Sequence, residues 1–121
     1  MLYEETEKKE IERVYAVFAD YIRESLYLEW FWSDKLGYLL LKIGAEKRYI
    51  AKNVIIYTAE QVARILFSEV SMDVLRMTGN DHTEQTADPL ELAEIKRRWN
   101  PYIDQLPEYA YICDDLLSGR Q

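Results

Sequence analysis

Apolar residues near the start of the chain recur at spacings of three and four. Ile11, Val14, Tyr15, Phe18, Ile22 and Leu26 share one face at that spacing, which predicts a helix over residues 7–26. Glu4, Glu5 and Glu7 lie at its start, where the helix dipole favours anions. The period then changes to two. Leu26, Leu28, Trp30 and Trp32 alternate with Tyr27, Glu29, Phe31 and Ser33, the pattern of a strand. Asp34-Lys35-Leu36-Gly37 supplies a turn, and Tyr38 to Ile43 the return strand. Gly44 to Lys47 reads as a second turn leading to a third strand within Arg48 to Tyr57, where Val54-Ile55-Ile56-Tyr57 suits a pleated surface. A competing reading continues the helix through Ile43, because Tyr38-Leu39-Leu40-Leu41 contains good helix formers.

The helical period returns after Thr58. Thr58 and Gln61 have the spacing of a capping box, and Ala63, Leu66, Val70, Val74 and Met77 form a buried stripe, predicting a helix over 59–77 that ends before Gly79. Residues 79–88 are a polar loop. Asp88-Pro89-Leu90-Glu91 opens the next helix with a cap, a proline and an acid three residues on. That helix buries Leu92, Ile95 and Trp99 and is predicted to stop at Asn100-Pro101, where another can start. Pro107 begins or kinks a last helix to about Leu117, with Tyr109, Ile112, Cys113 and Leu116 on its apolar face. The order predicts an α+β fold: a small antiparallel sheet of two or three strands, about residues 26–57, packed with four or five helices. The alternative is an all-α bundle.

Composition narrows the classes. A chain of 121 residues fits a single globular domain, 1–121. A net charge of −7 disfavours nucleic acid as a partner. Cys113 is the lone cysteine, which excludes an internal disulfide and points to a reducing, cytoplasmic location. The first residues lack the apolar stretch of a secretory signal, and no apolar run approaches the length of a membrane span. The spacing of the four glycines allows no phosphate loop or dinucleotide fingerprint, and one cysteine with one histidine cannot build a Cys/His zinc site within the chain. No cofactor and no metal site is expected.

Four groups of residues carry candidate chemistry. Asn80, Asp81, His82, Thr83, Glu84 and Asp88 offer oxygen and imidazole ligands, but their spacing departs from the calcium loop, and a solvated loop rich in turn formers is the preferred reading. Cys113 with His82 has the makings of a nucleophile and base, but Cys113 shares an apolar helix face, where a thiol acts as a small hydrophobe. Lys35, Lys42, Lys47, Arg48 and Lys52, with Glu46 the one acid among them, lie near Trp30, Trp32, Tyr38 and Tyr49 and supply a basic aromatic surface for nucleic acid. Lysines at hairpin edges also serve simply to block pairing with other chains. The fourth group is the hairpin itself, apolar on both faces, with Trp30, Trp32, Tyr38 and Leu40 as interface candidates. The leading expectation is thus a non-enzymatic protein–protein interaction or self-association module, whose partner is another protein or a second copy in a homodimer. A nucleic-acid-associated or regulatory role of the basic hairpin is the alternative, and a carboxylate/metal-based enzyme comes third.

Overall fold

The structure is a computed structural model and describes residues 4–33, 38–46, 49–77 and 88–118. The described residues contain four α-helices and three strands, an inventory compatible with an α+β fold. Contacts divide the chain into two compact units, Met1–Val62 and Ala63–Gln121.

In the first unit, α1 (Glu5–Glu24) buries Ile11, Val14, Phe18 and Ile22, the stripe expected from their spacing. It stops two residues short of Leu26. Ser25 turns extended, its amide still bonding the Ile22 carbonyl at 3.2 Å, and its hydroxyl accepts the Tyr27 amide at 3.0 Å. Leu26 therefore leaves the helical face and is exposed, a correction to its place in the predicted stripe. The short polar side chain of Ser25 offers the backbone a turn that competes with another helical step.

Three strands follow: β1 (Leu28–Ser33), β2 (Tyr38–Glu46) and β3 (Tyr49–Ile56). Their pairing is antiparallel in the order β1-β2-β3. α1 lies against β1. The second predicted turn is corrected. Gly44 to Glu46 belong to β2, and the register shifts on either side of Gly44. Glycine within a strand commonly marks such a bulge, so its freedom is used here to kink a strand rather than to end one.

α2 (Ala59–Met77) begins in the first unit and continues into the second. Its start is held from three sides. Thr58 Oγ1 accepts the Gln61 amide at 3.1 Å, as the capping pattern predicts. The Gln61 side chain reaches the Tyr57 amide instead of the Thr58 amide. Glu7, from the first turns of α1, accepts the Ala59 amide at 2.7 Å. A carboxylate there also meets the positive end of the α2 dipole.

In the second unit, Val62 aside, α2 contributes Ala63, Leu66, Phe67, Val70, Val74 and Leu75 to the buried set. Met77 was expected in that stripe but is exposed at the last turn, where Arg98 Nη2 lies 3.3 Å from its sulfur. α3 (Pro89–Gln105) starts on the predicted capping box: Asp88 accepts the Glu91 amide at 2.8 Å and Glu91 accepts the Asp88 amide at 3.0 Å. It runs through Asn100-Pro101 rather than stopping there. Proline removes the amide that would bond the Arg97 carbonyl. Arg97, Asn100 and Pro101 are all exposed, so water can meet that carbonyl. Buried Trp99 before the proline and fully buried Leu106 after it hold the two halves in line. The helix ends where the Leu106 amide bonds the carbonyls of Tyr102 and Ile103. A single 3-10 turn, Pro107–Tyr109, leads into α4 (Ala110–Ser118), which buries Ile112 and Cys113.

Trp99 and Phe67 form the centre of this unit. Their rings meet edge to face at 6.2 Å and 89°, and the indole N–H donates to the Phe67 carbonyl at 2.9 Å. Arg64 on α2 and Asp115 on α4 add an exposed ion pair at 3.3 Å.

Candidate functional site

The register of the sheet sorts the predicted interface residues. Residues paired across antiparallel strands share a face, and neighbours along a strand alternate. One face carries Leu28↔Ile43↔Lys52, Trp30↔Leu41↔Val54 and Trp32↔Leu39↔Ile56. Leu28 and Ile56 on this face are fully buried. The other carries Glu29↔Lys42↔Asn53, Phe31↔Leu40↔Ile55 and Ser33↔Tyr38. Here Glu29 is exposed and Ile55 is 36% exposed. Tyr57, just past the end of β3, is 51% exposed.

Trp30 and Trp32 therefore fall on one face and Tyr38 and Leu40 on the other. The four residues grouped by sequence do not form one surface. Their backbones lie within the described strands, but their side chains lie outside what is described. The missed members of the second face are Phe31 and Ile55. The signal was present: once Ser33 stands opposite Tyr38, counting back by two sets Phe31 opposite Leu40.

The basic cluster is divided in the same way. Lys42 falls on the face of Glu29, and Lys52 on the face of Leu28. Lys35, Lys47 and Arg48 lie outside the described residues, as do Asn80, Asp81, His82, Thr83 and Glu84. Asp88, grouped with that loop by sequence, is engaged as the α3 cap. No group of three or more metal-ligating side chains occurs among the described residues.

Cys113 is buried, and burial, with the Asp114 charge next to it, pushes its thiol up to about 12. At pH 8 about one thiol in ten thousand is then ionised, against roughly a quarter for an ordinary cysteine. Alkylation by iodoacetamide at pH 8 is expected to be at least about a hundredfold slower in the native chain than in urea. Equal rates in the two states would show an accessible thiol.

The strongest charge cluster in the second unit is an outer-face one. Glu94 accepts from Arg97 at 2.5 Å and from Arg98 at 2.7 Å, and these hydrogen bonds hold its carboxyl down to about 2. Glu69, almost fully buried on α2, is met by Arg76 at 3.5 Å, which also bonds Asp73. Glu94 with its two arginines and Arg76 with its two acids are each a local cluster of opposite charge along one helix, a common way to place charged side chains three and four residues apart. No helix among the described residues is long and apolar enough to cross a membrane. No protein-family model matches the chain, and the searches of curated proteins and of solved structures found no match either.

Proposed function

We propose that this chain is a non-enzymatic cytoplasmic interaction module that associates with a second copy of itself through one face of its sheet. The α+β reading supplies the surface: Leu28 and Ile56 are buried on one face of the sheet, and the opposite face meets the partner. The single observation that carries this is the cross-strand row Phe31↔Leu40↔Ile55, on the face where Ile55 and Glu29 reach solvent. Tyr38 extends the row beside Ser33.

Charge favours a second copy as the occupant. The chain carries −7 overall, which makes copies repel. On this face Glu29 stands directly opposite Lys42, so the patch is locally neutral. Two such faces related by a two-fold axis bring apolar rows together and let each glutamate approach the partner's lysine. Trp30 and Trp32 fall by register on the other face, with Leu28 and Ile56.

Sedimentation velocity over a concentration series tests the reading. The wild type is expected to show a monomer–dimer equilibrium, and Leu40→Lys to weaken it by about tenfold or more. Trp32→Ala, on the opposite face by register, should leave the association constant unchanged. A wild type that stays monomeric at the highest concentration reached would sink the proposal.

A further inference from the structure

Gln61 lies in the first turn of α2, and its side chain makes two backbone hydrogen bonds at once. Oε1 accepts from the Tyr57 amide at 2.7 Å, and Nε2 donates to the Ile55 carbonyl at 3.1 Å. The two partners fix the orientation of the carboxamide, because exchanging O and N would set NH2 against N–H and oxygen against oxygen. Among the described residues β3 is an edge strand, in the order β1-β2-β3. A strand added to such an edge engages the carbonyl of one residue and the amide two residues further on. Ile55 and Tyr57 present that pair, and Gln61 supplies both the donor and the acceptor that an added strand would bring.

The segment beside Gln61 is of a kind that needs protection at an edge. Asn53-Val54-Ile55-Ile56-Tyr57 carries no charge, and three of its five residues are β-branched. Short uncharged runs of this kind pair with identical runs from other copies. Ile55 and Tyr57 are both exposed, so the guarded end of the strand is at the surface. Natural sequences commonly protect such runs with charges or proline. Here the protection comes from a helix side chain that completes the edge with its own amide.

We infer that Gln61 is a plug that closes the C-terminal end of β3 against strand addition by β3 of a second copy. This contact is separate from the sheet-face association: it uses the backbone edge, and it is blocked rather than used in the native chain.

The test uses Gln61→Met, which keeps the length of the side chain and loses both hydrogen bonds, and Gln61→Glu, which keeps only the acceptor for Tyr57. Amide exchange at Tyr57 and sedimentation velocity are read together, each also in a Leu40→Lys background. Gln61→Met is expected to speed Tyr57 exchange by about tenfold or more and to raise the associated fraction several-fold, and the rise should persist with Leu40→Lys. Gln61→Glu should keep Tyr57 protected and associate to an intermediate extent. Unchanged Tyr57 exchange, or faster exchange without added association, would overturn the inference. So would added association that Leu40→Lys abolishes, since that would belong to the sheet face. If circular dichroism shows Gln61→Met unfolded, Gln61→Glu decides by the same association criterion.

Discussion

Replacing Trp99 with alanine is expected to destabilise the protein by about 3–5 kcal/mol, the range for removing a large, fully enclosed aromatic side chain. Trp99 is 1% exposed, meets Phe67 edge to face, and spends its N–H on the Phe67 carbonyl. Alanine removes the ring, its packing and the hydrogen bond together. Phenylalanine separates these effects. It keeps most of the apolar volume and loses the donor, so about 1–2 kcal/mol is expected. Urea unfolding followed by far-ultraviolet circular dichroism reads both, as a lower midpoint at constant slope. A loss below about 1 kcal/mol for alanine would mean that the indole is not the centre of the second unit.

Phe18→Ala should have a comparable effect in the first unit, again about 3–5 kcal/mol. Phe18 is fully buried in the stripe of Ile11, Val14 and Ile22, and Tyr21 stands edge-on to it at 6.5 Å. The stripe is one face of one helix, so a hole at its middle leaves neighbours that cannot close without bending the helix. A domain typically has about 5–15 kcal/mol in total, so either substitution removes a large share of the margin. Glu12→Ala, on the exposed side of the same helix, is the matched control and should change stability by no more than about 0.5 kcal/mol. Equal losses for Phe18 and Glu12 would contradict the burial of that face.

These two residues also mark what the sequence made legible. Phe18 belongs to a run spaced by three and four, and Trp99 follows a capped helix start, so both could be placed in a buried stripe from spacing alone. The Asp88–Glu91 capping box was equally readable, since it depends only on residues three apart. Pro101 misled because local rules charge for the lost amide without seeing that Arg97, Asn100 and Pro101 all lie on the exposed side of α3. Leu106 was missed for a related reason: it follows the last turn of α3 and belongs to no periodic stripe. Gly44 misled because a turn and a bulge make the same demand on the backbone, and only strand pairing distinguishes them.

The candidate surface was legible in part. Its apolar character was plain from Leu28 to Ile43. The alternation within each strand was plain too, but which β2 residues join which face of β1 depends on pairing, and the pairing sets Trp30 and Trp32 on one face and Tyr38 and Leu40 on the other. The long-range cap of Ala59 by Glu7 had no local signal at all, because the two residues are 52 positions apart.

That last contact bears on the order in which the chain can assemble. Closing a flexible loop of this length costs about 3.5 kcal/mol in chain entropy, whereas a hydrogen bond to a charged group returns about 1.5–3 kcal/mol. The bond cannot lead. It must wait until α1 and the strands have already brought the ends together, so it belongs to the final descent of folding and acts as a latch against unravelling from the amino-terminal end.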